Sequence, residues 1–259
     1  MDLSHKNINI HYTSEGNGKT IVLLHGFLEN LSMWDALKQH FIPNHRVVCI
    51  DLLGHGQTGC LGYVHTMEMM AEAVYEILNH LKIQKAVMVG HSMGGYVALA
   101  FAEAYPKLLN GLVLMNSTAL PDSEEKKANR DRAIAAVKQN HKTFVRLSIK
   151  NLFRPKNRKI FPSEVKKVTD EALKTPVQGV VAALEGMKIR PDRSMVFIDG
   201  NFSKGMIIGR KDPVLEPATL RQLAQAADAK WVEFPDGHMS HIENFTHFIE
   251  FLGNFLKSI

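Results

Sequence analysis

Residues 86–105 read AVMVGHSMGGYVALAFAEAY, and this stretch decides the fold class. It begins with the short apolar run Ala86–Val89, which is typical of a strand covered on both faces. It continues through Gly90-His91-Ser92-Met93-Gly94, a G-x-S-x-G motif, into a helical pattern that ends before Pro106. A serine on such a sharp strand-to-helix turn takes strained backbone angles and presents its hydroxyl at the carboxyl end of the strand. Ser92 is therefore the first candidate for a reacting side chain.

The same alternation of strands and helices extends over much of the chain. Short apolar runs predict buried strands, and apolar residues three and four positions apart predict helices. Strands that alternate with helices indicate the α/β class, with a mostly parallel central sheet flanked by helices on both faces. The predicted strands are 7–15, 20–24, 46–50, 86–89, 112–115, 206–208 and 230–234, and the helices predicted around them are 67–81, 93–105, 218–227 and 244–256.

The alternation stops between residues 118 and 203, where helical patterns and charged residues dominate. The rhythm of strands and helices then resumes, so we predict an insertion into one domain and not a second domain in tandem. The predicted core is residues 1–117 and 204–259, and the predicted helical insertion is residues 118–203. The candidate helices of the insertion are 121–140, 141–152, 162–174 and 177–187.

Length and composition exclude several classes of protein. The chain has 259 residues, 45% hydrophobic and 22% charged, which fits an ordinary globular protein and neither a disordered nor a collagen-like one. No apolar run reaches the ~18–20 residues that span a bilayer. Residues 1–16 lack the apolar region of a signal peptide, and two cysteines without an export signal favour free thiols. We therefore expect a cytoplasmic protein without a membrane span.

Positive charge is concentrated in the insertion. Residues 121–193 carry 18 basic and 9 acidic side chains, whereas the rest of the chain carries 13 and 17. The formal net charge of +5 therefore does not indicate nucleic-acid binding. Three interpretations of the basic segment stay open. It is a solvated helix surface, or an electrostatic guide for an anionic substrate or carrier such as coenzyme A or an acyl carrier protein. The third is contact with an anionic membrane surface, for which the sequence has no obvious aromatic-rich amphipathic helix.

A reacting serine needs a general base, and the base needs an orienting carboxylate. Asp212 and His238 each follow a predicted strand, so both lie at the carboxyl edge of the predicted sheet. On a fold with this turn the partners are expected to follow the serine in the order acid and then histidine, and the chain supplies them in that order. His241 competes with His238 for the role of base. We favour His238 because Gly237 leaves its loop free to aim the ring inward.

A site of this kind also needs backbone N–H groups that stabilise the negative charge of the tetrahedral intermediate. His25-Gly26-Phe27 ends the predicted strand 20–24, and Met93 directly follows the candidate nucleophile. The N–H groups of Phe27 and Met93 are the candidate donors to a tetrahedral oxyanion.

A metal site is the alternative interpretation of the histidines. Asp236, His238 and His241 could in principle hold a metal ion, but no further cysteine or histidine cluster supports one. We therefore expect neither a metal nor a cofactor.

Together these motifs resemble the α/β-hydrolase superfamily over nearly the whole chain. The residues that carry the resemblance are His25-Gly26-Phe27, Asp51-Leu52-Leu53-Gly54-His55-Gly56, the turn around Ser92, Gly209–Pro213, and Gly237-His238 with Glu243. The resemblance implies an α/β-hydrolase fold with a helical cap after the sixth strand, and a structural role for the segment from Asp51. Dehalogenases and epoxide hydrolases of this superfamily carry aspartate at the position of Ser92, so the resemblance favours acyl chemistry.

The sequence therefore predicts a serine hydrolase that cleaves carboxylic esters of small to medium acyl groups through an acyl-enzyme, as a carboxylesterase does. Ser92, Asp212 and His238 are the predicted catalytic residues, and Phe27 and Met93 the predicted oxyanion donors. Two alternatives remain open, because one fold hosts many reactions. One is a thioesterase or a hydrolase of acyl groups linked to coenzyme A or a carrier protein. The other is a non-hydrolytic lyase or binding module.

Overall fold

A single eight-stranded sheet organises the chain. The computed structural model describes residues 1–259. The sheet order is β1-β2-β4-β3-β5-β6-β7-β8, in which β1 pairs with β2, and β2 with β4, in antiparallel fashion while all other pairs are parallel. The strands are β1 (Asp2–His5), β2 (Ile8–Glu15), β3 (Lys19–Leu24), β4 (His45–Ile50), β5 (Ala86–His91), β6 (Leu109–Met115), β7 (Ser203–Gly209) and β8 (Lys230–Phe234). The predicted α/β class with a mostly parallel sheet is confirmed.

Helices cover both faces of this sheet. Alternate residues of β3 show why, since Val22 and Leu24 belong to one buried cluster and Ile21 and Leu23 to another. The first cluster includes side chains of the helices Met67–His80 and Met93–Ala104, and the second includes side chains of the helices Asp35–Phe41 and Phe245–Lys257. The helices outside the insertion are α1 (Asp35–Phe41), α2 (Met67–His80), α3 (Met93–Ala104), α9 (Pro217–Ala226), α10 (Ser240–Glu243) and α11 (Phe245–Lys257).

Five helices lie between β6 and β7. They are α4 (Glu124–Leu152), α5 (Asn157–Ile160), α6 (Pro162–Ala172), α7 (Val177–Lys188) and α8 (Ser194–Asp199). The sequence predicts two helices where α4 lies, with the break after Asn140. The structure has one helical segment with a kink at that residue, whose φ of −154° and ψ of 85° leave the helical region. The side-chain oxygen of Asn140 then accepts the N–H of Thr143 at 3.0 Å, as a cap does at the start of a new helix.

The turn between β5 and α3 brings backbone against backbone. A Cβ atom added to Gly94 would lie 2.4 Å from the carbonyl oxygen of Leu24 in β3, and one added to Gly90 would lie 2.4 Å from the carbonyl oxygen of Gly94. One of these carbonyl groups belongs to the central strand β3 and the other to the first turn of α3, and neither has room to move, so only glycine fits at these two positions. The first turn of α3 therefore packs directly on the carboxyl end of β3.

Two whole-chain features complete the description. None of the helices combines the length and the apolar character that crossing a membrane would require. Cys49 is buried in β4, Cys60 is partly buried, and both are free thiols.

We predict that Gly94→Ala lowers the free energy of unfolding by about 1–3 kcal/mol or more, because the added methyl group overpacks the contact with β3. Gly253→Ala is the matched control. Gly253 lies within α11 with nothing within 4 Å of an added Cβ atom, so alanine there leaves stability unchanged or raises it by up to about 1 kcal/mol. Urea denaturation of the two variants measures the difference. Equal stability of the two variants would contradict the close packing described here.

Candidate active site

Asp212 and His238 meet at the carboxyl edge of the sheet. Nδ1 of His238 donates to Oδ2 of Asp212 at 2.7 Å, and the side chains are 2% and 0% exposed. Oδ1 of Asp212 accepts the backbone N–H groups of Val214 and Leu215 at 2.8 and 3.1 Å. Burial opposes ionisation, but His238 and these hydrogen bonds outweigh it and hold the pKa of Asp212 below its ordinary value. The carboxylate is therefore fixed in its charged form.

Asn116, directly after β6, is a further support that the sequence analysis missed. Its Nδ2 donates to Oδ2 of Asp212 at 3.1 Å and to the carbonyl oxygen of Gly237 at 3.2 Å. One amide group thus joins the loop that carries the acid to the loop that carries the histidine. Asn116 has a φ of 45°, a conformation that asparagine tolerates better than most residues.

Ser92 occupies the turn that the motif predicts. Its φ of 50° and ψ of −114° lie outside the regions that ordinary residues adopt. Its backbone is held on both sides: the N–H donates to the carbonyl oxygen of Met115 at 3.0 Å, and the carbonyl accepts the hydroxyl of Ser117 at 2.7 Å. Hydrogen bonds to β6 and to the loop that follows it therefore hold Ser92 in this strained conformation.

Ser92 and His238 line one cavity of about 120 Å³, together with Phe27, Tyr96, Arg130 and other side chains. No hydrogen bond joins the Ser92 hydroxyl to the His238 ring. Because Nδ1 of that ring donates to the carboxylate, Nε2 is the nitrogen left to accept a proton. The geometry thus brings acid and histidine into contact, and serine and histidine onto the walls of one cavity.

The two predicted oxyanion donors have free N–H groups. The N–H of Phe27 makes no backbone hydrogen bond, and Met93 is the first residue of α3, so its N–H has no acceptor within the helix. Leu28 follows with a φ of 64°, which turns the chain sharply after Phe27. Phe27 and Leu28 line the Ser92 cavity, and Met93 is the residue directly after Ser92.

A buried ion pair lies beneath these groups. Nδ1 of His91 donates to Oε2 of Glu29 at 2.6 Å, and Nε2 of His91 donates to the carbonyl oxygen of His238 at 3.0 Å. A ring that donates from both nitrogens is an imidazolium. Although burial opposes both charges, the attraction between them lowers the pKa of Glu29 to about 2 and raises the pKa of His91. Oε2 of Glu29 also accepts the N–H of Gly26 at 2.7 Å.

His241 does not reach Asp212. Its ring is buried, 5.4 Å from the ring of His91 and 6.1 Å from that of Trp34, and neither of its nitrogens has a partner. Burial lowers the pKa of His241 to about 3, so the ring stays neutral. Glu29, His91 and His241 have ligand atoms within 4.8 Å of one another. A metal ion there would require His91 to lose its positive charge and to give up the hydrogen bond of the nitrogen that binds the metal.

Glu243 ties the histidine loop to the inserted helices. Its Oε2 accepts the N–H groups of Gly237 and Met239 at 3.0 and 3.2 Å. Its Oε1 accepts the N–H of Arg154 at 3.0 Å and Nδ2 of Asn157 at 2.8 Å. The N–H of His238 itself donates to the carbonyl oxygen of Leu152, the last residue of α4, at 3.0 Å. The insertion and the site are thus one hydrogen-bonded unit.

We predict that the free energy of unfolding falls less between pH 8 and pH 5 in His241→Phe than in the wild type. Below pH 6.5 the unfolded chain binds a proton at His241 that the folded chain does not bind until about pH 3, so the wild type loses stability as the pH falls. Relative to the variant, the wild type should lose about 2 kcal/mol between pH 8 and pH 5, at about 1.4 kcal/mol per pH unit. Denaturant unfolding at a series of pH values measures this.

His80→Gln is the control, because His80 is exposed at the end of α2 and its ring stays in water in both states. A difference between wild type and His241→Phe that does not change with pH would show that His241 is not buried in its neutral form.

Comparison with curated proteins gives matches to parts of longer chains. A hydrolase of (E)-2-((N-methylformamido)methylene)succinate from Acinetobacter baylyi is 26% identical over 174 residues, which are 67% of this chain and 63% of that protein. An uncharacterized protein of Mycobacterium tuberculosis is 33% identical over 102 residues, 39% of this chain and 30% of that protein. In the first curated relatives, the matched region covers 30–37% of their own length, so this chain spans about a third of those proteins.

Solved structures match over nearly the whole chain. An esterase from Thermogutta terrifontis superposes with a TM-score of 0.92 at 31% identity, covering 97% of this chain and 94% of that one. An enol-lactonase from Burkholderia xenovorans superposes with a TM-score of 0.92 at 26% identity, covering 99% and 100%. The family model of the alpha/beta hydrolase fold matches residues 19–245. This chain belongs to the α/β-hydrolase family.

Proposed function

We propose that this protein is a serine hydrolase that cleaves carboxylic esters of small to medium acyl groups. The observation that carries the proposal is the hydrogen bond between Asp212 and His238, beside a cavity that both His238 and Ser92 line. An imidazole oriented by a buried carboxylate is the base that a serine hydroxyl needs in order to attack a carbonyl carbon. Similarity to an esterase and to an enol-lactonase supports the reaction type, because a lactone is a cyclic ester.

The proposed reaction has two halves. In the first, Nε2 of His238 takes the proton of Ser92 as its oxygen attacks the ester carbonyl, and Asp212 stabilises the imidazolium. The N–H groups of Phe27 and Met93 receive the oxyanion, and the alcohol leaves with the proton from His238. In the second half, His238 removes a proton from water, the hydroxide attacks the acyl-enzyme, and the acid departs as Ser92 regains its proton.

We assign residues 118–203 to a cap over this site. Three kinds of contact support the assignment: α4 contributes Arg130 and Leu152 to the cavity wall, α7 contributes Met187, and Glu243 bonds to the loop after α4. The cap so defined restricts the cavity to about 120 Å³, well below the 300–1,000 Å³ of pockets for drug-sized ligands. A small acyl group suits this volume.

Charge on the cap favours the second candidate, a hydrolase of acyl groups on coenzyme A or an acidic carrier protein. Lys138, Lys142, Arg146 and Lys150 are exposed on α4, and none of them forms an ion pair. Unpaired positive charge on the cap would raise the encounter rate of an anionic carrier.

We predict that Ser92→Ala and His238→Ala each lower kcat/KM for short p-nitrophenyl esters by several orders of magnitude, because they remove the nucleophile or the base. His241→Ala, which removes a neighbouring histidine that does not touch Asp212, should lower it far less. Steady-state kinetics of the three variants measures this. If His241→Ala were the inactive variant, the assignment of the base would be wrong, and unchanged turnover in Ser92→Ala would contradict the serine mechanism.

We predict that electrostatic attraction of an anionic carrier by the cap makes kcat/KM for thioester hydrolysis depend on salt concentration. If the exposed lysines attract a carrier, kcat/KM for an acyl-coenzyme A falls steeply as ionic strength rises from about 0.01 M to about 0.15 M. The uncharged p-nitrophenyl ester of the same acyl group is the control and should not respond. Equal responses of the two substrates would contradict carrier steering and leave a solvated helix surface as the explanation of the charge.

A further inference from the structure

One fully charged side chain lines the Ser92 cavity apart from the histidines, and it is Arg130 of α4. Its side chain is 18% exposed, whereas the groups behind it are almost completely buried. Every other arginine and lysine of the cap lies outside the walls of this cavity. A guanidinium at the wall of a small cavity is in a position to contact whatever the cavity binds.

The charges behind Arg130 do not balance. Nε of Arg130 donates to Oδ2 of Asp122, and Nη2 lies 3.4 Å from Oδ1 of the same carboxylate. Nη1 of Arg190 pairs with Oδ1 of Asp122 at 2.7 Å. Two guanidinium groups therefore share one carboxylate, and the cluster keeps an excess of one positive charge. The pKa of Asp122 is held below its ordinary value by both arginines in spite of burial, so this carboxylate is already ionised.

Arg190 is held inside the cluster by other groups. Its hydrogen bonds go to the carbonyl oxygens of Met187 and Leu120 at 2.9 and 3.0 Å, and its guanidinium stacks on the ring of Tyr96 at 3.9 Å. Its side chain is only 3% exposed, so it cannot turn away from Asp122 into solvent. Asp122 therefore has two cationic partners, and the one of them that reaches the cavity wall is Arg130.

An uncompensated charge at a half-buried wall is costly unless an anion meets it. Arg130 has the free group to meet one, since its hydrogen bonds to Asp122 use Nε and Nη2 and leave Nη1 without a protein partner. A guanidinium prefers planar carboxylates, to which it donates parallel hydrogen bonds. Asp122 holds the guanidinium group of Arg130 in place, so little conformational entropy is lost when an anion binds.

We infer that Arg130 binds a carboxylate group of the substrate, so that the preferred substrates are esters with a free carboxylate a few bonds from the scissile carbonyl. This inference rests on the proposed ester hydrolysis. The cavity of about 120 Å³ that Arg130 shares with Ser92 sets the short distance between the two ends of the substrate. Arg130 is a binding and specificity residue, and it takes no part in the proton transfers.

The test compares monoethyl succinate with ethyl levulinate, in which a methyl ketone replaces the carboxylate at nearly the same shape. Acid release at constant pH gives kcat/KM for both esters. The wild type should prefer the anionic ester, and Arg130→Met should lower the ratio of the two kcat/KM values by about 10- to 100-fold, as expected for loss of a hydrogen bond to a charged group. Arg130→Lys should restore part of the ratio.

Arg132→Met is the matched control, because Arg132 is exposed on the same helix, lies outside the cavity and is not one of the four side chains proposed to attract a carrier; its ratio should equal that of the wild type. As a second readout, succinate should inhibit hydrolysis of ethyl levulinate by the wild type, and Arg130→Met should weaken this inhibition by a similar factor. A wild type that hydrolyses ethyl levulinate with no preference for the anionic ester, or a variant with an unchanged ratio, overturns the inference and leaves the proposed function standing. A wild type that hydrolyses neither ester counts against both.

Discussion

The buried ion pair between His91 and Glu29 is the interaction on which the geometry of the site depends. Glu29 accepts the N–H of Gly26, which precedes the proposed oxyanion donor Phe27. His91 directly precedes Ser92 and donates to Glu29 and to the carbonyl oxygen of His238. Three loops that are far apart in the chain are thereby fixed to one charged group. Breaking such a pair leaves a buried charge alone, which costs about 3–5 kcal/mol, so the loops move apart only at a high energetic cost.

A second constraint comes from the parallel strands. Because β3, β5, β6, β7 and β8 all end at the same edge, each loop that follows them contributes a group there: Phe27, Ser92, Asn116, Asp212 and His238 in that order. The inserted helices are attached to this edge through Glu243 and through the carbonyl oxygen of Leu152. The insertion therefore has a fixed position relative to the histidine loop. A change in the insertion that shifts the end of α4 should also shift His238, the proposed base.

The sequence predicts the fold well because each buried strand is a short apolar run, and glycine and proline residues mark where strands and helices end. The strand β1 escapes prediction because its four residues, DLSH, have no apolar run and pair with β2 through their backbone. The order of serine, acid and histidine predicts that Asp212 and His238 come together, and a 2.7 Å hydrogen bond joins them. The contacts of Asn116 and Glu29 could not be predicted, because their partners Asp212 and His91 lie 96 and 62 residues away in the chain and only the folded backbone brings them together. Arg130 pairs with Asp122 only eight residues earlier, but its place at the wall of the Ser92 cavity depends on how the inserted helices pack against the core.

We propose that Ser92 is a nucleophile activated by His238. Mass spectrometry of peptides tests this after treatment with a fluorophosphonate, a reagent that reacts with an activated serine hydroxyl and leaves a stable adduct. We expect a single adduct on the peptide that contains Ser92, its absence in Ser92→Ala, and much slower formation in His238→Ala. An adduct on another residue, or labelling of Ser92 at the same rate without His238, would show that His238 does not activate Ser92.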